Sequence, residues 1–153
     1  MEKPKSPEDK LKDIQDIEFK LYFDIPGSED LEEVKLGSNT EELISDSLLE
    51  KIDGKLLKFI VVKIGDSENY KLVLRAADID IDHGTIFKTL KDDLRSSEIS
   101  FECLGGGFLK VDSKEKSINI SGKSQTFGYE PDRNDTAKLI RNLFPGFKFE
   151  IDY

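Results

Sequence analysis

The sequence predicts an α+β protein: a mixed β-sheet flanked by two α-helices, sandwich-like in outline, with an extra acidic segment at the N-terminus. Three observations carry this. From Leu56 onward, apolar runs of strand composition alternate with two stretches of helical spacing, in the order β-β-α-β-β-α-β. Neither a helix stripe nor a sheet face can leave its apolar side wet, so such a set closes into layers. The 153 residues are enough for one sizeable core with at most a small addition. The expected division is an acidic extension over residues 1–52, either an arm or a docked helix or strand, and one domain over 53–153.

In chain order, residues 1–16 are charged and Pro-containing with few apolar anchors, and read as a loose arm or short helix. Ile17 to Phe23 alternates like a strand that Pro26-Gly27 ends early. Asn39-Thr40-Glu41-Glu42 resembles a capping sequence, and Leu43, Ile44, Leu48 and Leu49 recur at helical spacing until Asp53-Gly54 stops them. Leu56 to Ile64 is a buried strand with Lys58 near its entrance, and the polar turn Gly65 to Asn69 leads into a second strand, Tyr70 to Ala76. Ile86, Phe87, Leu90 and Leu94 mark one face of a helix starting near His83. Ile99, Phe101 and Cys103 alternate as a third strand, interrupted by Gly105-Gly106-Gly107 and resumed over Phe108 to Val111. Ile118 and Ile120 give a fourth strand, and Gly122 to Gly128 a polar loop. A second helix carries Leu139, Ile140, Leu143 and Phe144, is capped near Asn134 or Asp135, and stops at Pro145-Gly146. Phe147, Phe149 and Ile151 alternate in a last strand.

The charge is unevenly spread. Residues 1–51 hold 15 Asp and Glu against 7 Lys, whereas the remainder holds 17 acidic and 16 basic residues, so the net charge of −9 belongs to the N-terminal third. An acidic chain without a Lys/Arg cluster repels a phosphate backbone, which argues against nucleic acid as a partner. No apolar run approaches the ~18 residues of a spanning helix, and the N-terminal residues lack the apolar core of a signal peptide, so a cytoplasmic protein without membrane contact is expected. Cys103 is the single cysteine, which rules out an internal disulfide or a cysteine-based zinc cage. No heptad or long apolar helix argues for assembly, and a monomer is expected.

His83, the only histidine, sits on the seam where a strand gives way to a helix. It is the one side chain that titrates near neutral pH, and a helix N-terminus attracts phosphate through free N–H groups and the dipole. Read alone, it is equally a plain histidine at a helix start. Asp78, Asp80 and Asp82 superficially suggest a calcium loop, but the sixth position is His83 rather than Gly and the twelfth is Thr89 rather than Glu. They read as a solvated rim, and neither metal nor cofactor is expected. Gly105-Gly106-Gly107 lacks the pattern of a nucleotide loop and reads as a bulge or a close backbone approach. Cys103 has no neighbouring cation to lower its pKa and reads as a packed thiol. Gly122-Lys123-Ser124-Gln125-Thr126-Phe127-Gly128 is either a nest of N–H groups for an anion or a surface loop.

Taken together, residues 53–153 resemble the phosphohistidine phosphatase (Janus/Ocnus) family. The most specific element is Glu102-Cys103-Leu104-Gly105-Gly106-Gly107. Asp53-Gly54 followed by Leu57-Lys58-Phe59 supports it, as do Arg75 eight residues before His83, and Gly122-x-Ser124-x-x-Phe127-Gly128. The resemblance implies a metal-independent hydrolase that cleaves the P–N bond of phosphohistidine in protein substrates, with phospholysine left open. His83 matches the family's catalytic histidine, as nucleophile or general base. Lys58 matches a phosphate-contacting lysine, and Ser124, Gln125 and Thr126 lie on the loop whose amides bind phosphate. Arg75 matches an arginine given a supporting role. The family often has an arginine directly after the triple glycine, where this chain has Phe108; Lys110 and Lys123 are the candidates to replace its charge. The competing expectation is a non-catalytic module that recognises phosphoproteins with the same pocket.

Overall fold

The computed structural model describes residues 19–24, 31–37, 46–65, 70–94, 99–141 and 144–152. Within these residues seven strands form one sheet: β1 (Phe19–Asp24), β2 (Leu31–Gly37), β3 (Leu56–Gly65), β4 (Tyr70–Asp78), β5 (Phe101–Asp112), β6 (Ser117–Ser121) and β7 (Lys148–Ile151). Their order across the sheet is β2-β1-β4-β3-β5-β6-β7. β1 runs parallel to β4 and β7 parallel to β6, while the remaining neighbours are antiparallel, so the sheet is mixed. Among the described residues, three helices join them: α1 (Asp46–Ile52), α2 (His83–Leu94) and α3 (Arg133–Ile140). The architecture is α+β, as the alternation of periods predicts.

Both sheet faces are covered, which explains why β3 reads as a near-continuous apolar run instead of a clean alternation. On one face, Leu57, Phe59, Val61, Leu74, Ala76 and Leu109 pack with Ile52 of α1 and with Ala137 and Ile140 of α3. On the other, Ile60, Val62, Ile64, Val73 and Ala77 pack under Ile86 and Leu90 of α2. Burying an aliphatic or Phe side chain stabilises by ~1.5–3 kcal/mol, so these two clusters drive closure of the layers.

Three sequence expectations are refined. β5 is the one long strand expected, and its interruption is a register slip between Val61 and Val62 of β3: Val61 faces Gly105 whereas Val62 faces Cys103. Leu104 is the extra residue of a bulge, so Phe101 and Cys103 pack on the α2 side while Leu104, Leu109 and Val111 pack on the α3 side. The glycine triplet also permits close approach. A Cβ at Gly105 would meet the Tyr129–Glu130 backbone, one at Gly106 would meet Phe59 O, and one at Gly107 would lie 2.6 Å from Ser121 O. Second, α3 is capped not by Asn134 or Asp135 but by Asp132, whose carboxylate accepts from Asn134 N at 2.8 Å. Third, β2 had no counterpart in the sequence reading. The helix expected to stop at Asp53-Gly54 is α1; its last residue precedes Asp53 and Gly54, and Gly54 N donates to Val111 O at 2.7 Å. The proposed cap at 39–42, the arm at 1–16, the turn at 66–69 and Leu143 lie outside the described residues.

Candidate active site

Four segments meet at one end of the sheet: the start of β3, the β4–α2 junction, the middle of β5 and the 122–128 loop. Lys58 shares a sheet face with Ile60 and Val62, so its side chain lies on the α2 side, and its β5 register partner is Phe108. Asp82 starts α2 as its cap: its Oδ1 accepts from Thr85 N at 2.7 Å and its carbonyl from Ile86 N at 3.2 Å. The Thr85 amide holds the Asp82 carboxyl below its ordinary pKa. His83 is therefore the first helical residue, its ring aimed across the sheet end toward β5.

His83 is 7% exposed, and its Nε2 lies 3.1 Å from Gly107 O. A carbonyl only accepts, so the neutral ring donates its N–H from Nε2 and keeps the lone pair on Nδ1. Burial pushes its pKa below the ordinary 6.5, the Lys58 charge adds to that, and the Gly107 bond and Asp82 oppose it. The Phe108 ring stands edge-on to the imidazole, centroids 5.8 Å apart at 79°. Phe108 is itself backed by Gly122, whose φ of +67° and missing Cβ let the loop backbone lie against the ring.

The 122–128 loop is strapped to the sheet. Ser124 N donates to Gly106 O at 3.1 Å, Gly106 N to Gly128 O at 2.9 Å, and Gly128 N to Ser124 O at 2.8 Å. Ser124 Oγ accepts from Phe127 N at 3.0 Å, and the Phe127 ring packs at right angles on Phe87 of α2 at 5.3 Å. Among the described residues, the backbone N–H groups of Gln125 and Thr126 make no hydrogen bond, which leaves two donors at the loop tip.

Lys58, Asp82, His83, Phe108, Lys123, Gln125 and Thr126 line one cavity of about 300 Å³. It offers the Lys58 ammonium, two loop amides and one neutral imidazole, a set suited to a phosphoryl dianion beside a nucleophile or base; Asp82 puts one carboxylate on its wall, and Lys123 lines it with its Nζ 5.7 Å over the Tyr129 ring. Of the residues singled out from sequence, His83, Lys58, Gln125, Thr126 and Lys123 come together here. Ser124 does not line the cavity: it is buried, with its amide and its hydroxyl oxygen holding the loop's shape. Lys110 is exposed and pairs with Leu56 and Asn119 along the strands, outside the lining. Arg75 is fully buried on the α2 side of β4, and its Nη1 donates to Leu74 O at 3.1 Å. Asp82 is both rim and helix cap. Cys103 is half-buried in the α2-side cluster, and burial pushes its thiol up to about 11, far from a thiolate nucleophile.

A larger cavity of about 390 Å³ lies on the α3 side, lined by Val61, Tyr70, Leu72 and Leu104 with Glu130 and Asp135 at its polar end. Among the described residues it has no imidazole, and Lys63 is its one cation beside the carboxylates of Glu130, Asp132 and Asp135, so chemistry rather than size picks the candidate site. The sequence reading missed a buried polar set beneath the loop: Glu130, Arg133 and Thr136. Arg133 Nε donates to Glu130 Oε1 at 3.1 Å and Thr136 Oγ1 to Glu130 Oε2 at 2.7 Å. Their three-residue spacing, in register with buried Ala137 and Ile140, is a signal that the composition alone hides.

The family model of the Janus/Ocnus family matches residues 49–148. Among curated proteins, the chain is 32% identical to the sex-regulated protein janus-B of Drosophila teissieri over 99 residues, 61% of this chain and 69% of that protein. It is 31% identical to janus-B of Drosophila melanogaster over the same length and shares. Against the sex-regulated protein janus-A of Drosophila melanogaster the identity is 25% over 97 residues, 63% of this chain and 71% of that one. The matched segment holds β3 to β6, α2, α3 and every residue lining the cavity. The chain belongs to the Janus/Ocnus family.

Proposed function

We propose that this protein is a phosphohistidine phosphatase that hydrolyses the P–N bond of phosphohistidine in protein substrates. The observation that carries the reading is one cavity lined together by a neutral, buried histidine fixed by Gly107 O, by Lys58 and Lys123, and by Gln125 and Thr126 with their open amides. The P–N bond is labile, so the enzyme chiefly positions a nucleophile and neutralises charge on the equatorial oxygens. The two lysines and two amides supply that neutralisation, and His83 Nδ1 supplies a lone pair.

Two routes use it. In one, Nδ1 forms a bond to phosphorus as the substrate P–N bond breaks, the leaving imidazole takes up a proton, and water then cleaves the enzyme P–N bond. In the other, water forms the P–O bond while Nδ1 accepts its proton and later returns it to the leaving nitrogen. Phe108 narrows the cavity on the β5 side and presents an apolar wall where the family often has an arginine, so binding leans on Lys58 and Lys123.

The test is phosphate release from a phosphohistidine peptide by the parent protein and by His83→Ala, with thermal unfolding measured beside it. The expected result is release by the parent and none by a folded variant. Undiminished turnover in His83→Ala sinks the reading, and binding without turnover in the parent marks a recognition module.

A further inference from the structure

The guanidinium of Arg133 lies on the α3 side of the sheet, behind the candidate site, and is fully buried. Its Nη2 donates to Gly122 O, at the start of the 122–128 loop, and its Nη1 donates to Asp152 O, just beyond β7. Glu130 holds its Nε, and Thr136 holds Glu130 in turn. Nη2 also lies 2.9 Å from where a Cβ on Gly107 would stand, so the guanidinium occupies the space behind the residue whose carbonyl fixes His83. One planar fork thus touches the loop's first residue and backs the strand that orients the imidazole. A guanidinium does this and an ammonium does not, because only the fork sends parallel N–H groups to two acceptors at once.

We propose that Arg133 is the positioning residue for the anion loop: from the reverse face of the sheet it fixes Gly122, and through Gly122 the lysine and amides that follow it. It touches neither the cavity nor its contents. The role is separate from ordinary stabilisation, since burying the Glu130–Arg133 pair costs desolvation that an apolar pair would avoid. What the pair adds is a fixed geometry at Gly122 O. The part of the inference that concerns ligand rests on the phosphate-site reading, and the part that concerns loop order does not.

The full chain with Arg133→Lys keeps a cation for Glu130 and loses the fork. Two measurements are made on it. In the first, amide hydrogen exchange at Ser124 and Gly128, which donate within the strap, is compared with exchange at Ile60 and Val62 of β3. Exchange at the two loop amides is expected to speed at least ten-fold while the strand amides change less than three-fold. Equal changes at both places, or none at the loop, overturn the proposal. In the second, inorganic phosphate is titrated while the imidazole proton resonance of His83, the only histidine, is followed. The phosphate Kd is expected to rise about ten-fold or more with the protein folded, and a Kd within two-fold of the parent overturns the claim that the fork serves the anion site. Failure of the parent to bind phosphate defeats the proposed function instead, and exchange alone then decides the role of Arg133. Should Arg133→Lys not fold, the double change Glu130→Gln with Arg133→Gln removes both buried charges together and is read by the same two measurements.

Discussion

Gly107→Ala is the most informative single perturbation. The added Cβ would lie 2.6 Å from Ser121 O, 2.8 Å from Gly122 O and 2.9 Å from Arg133 Nη2, each inside the 3.4 Å at which ordinary contact begins. Two of these atoms are backbone carbonyls, and the third belongs to a guanidinium held by Glu130, Gly122 and Asp152, so no flexible chain end is there to swing away. Forcing one methyl into a packed interior costs about 1–3 kcal/mol. Losing one charge-assisted hydrogen bond as Arg133 yields adds about 1.5–3 kcal/mol. The expected destabilisation is thus roughly 3–6 kcal/mol, a large share of the ~5–15 kcal/mol that holds a domain together. For a chain of this size that corresponds to a Tm lowered by roughly 6–24 °C. Urea unfolding followed by circular dichroism measures it. The reasoning is refuted if the variant unfolds within about 0.5 kcal/mol of the parent, the range of an inconsequential surface change.

Other expectations concern the site itself. Lys58→Ala removes a charge contact remote from the reacting nitrogen, so KM for a phosphohistidine peptide should rise about ten-fold with a smaller change in kcat. Lys123→Ala should weaken phosphate binding while Lys110→Ala leaves it within two-fold, as measured by titration; the reverse order would relocate the second cation. Because burial lowers the pKa of His83, its imidazole resonances should titrate below 6.5, and turnover should fall as pH drops through that midpoint. For stability, the unfolded chain takes up this proton at higher pH than the folded one. The contribution of His83 is full above 6.5 and is lost as pH falls from there through the lower folded value, which denaturant titrations at stepped pH would detect. Asp82→Ala should cost about 0.5–2 kcal/mol by uncapping α2 and should lower the His83 midpoint further, since Asp82 is the carboxylate that favours its charged form.

Much of this was legible in the sequence because each period had a single interpretation. Ile86 and Leu90 recur at helical spacing and are both buried, and Ile118 and Ile120 alternate and are both buried. β2 was illegible for the opposite reason: Leu31, Val34 and Leu36 do not alternate, and Glu32 and Glu33 are poor strand formers, so only pairing with β1 makes it a strand. The cap of α3 was misplaced because Asp132, Asn134 and Asp135 are all good cap residues, and geometry rather than type selects Asp132. At the site, His83 and Lys58 stood out as chemically apt residues. Lys110 and Lys123 were equivalent on paper, and only the register of β5 with β3 and the course of the loop separate them. Arg133 carried no sequence expectation, since nothing local announces that its partners are carbonyls 11 and 19 residues away.

The bulge at Leu104 gives β5 something like a reading frame. Upstream of it, odd-numbered residues such as Phe101 and Cys103 look toward α2; downstream, Leu109 and Val111 look the other way, and even-numbered Phe108 takes its place opposite Lys58. Removing one glycine from the triplet would therefore act as a frameshift in space. Leu109 would inherit the seat beside the imidazole and Phe108 would turn into the far core, without any change in the side chains present. The number of glycines before Phe108 is then as much a part of the site's specification as the identity of the residue that follows them.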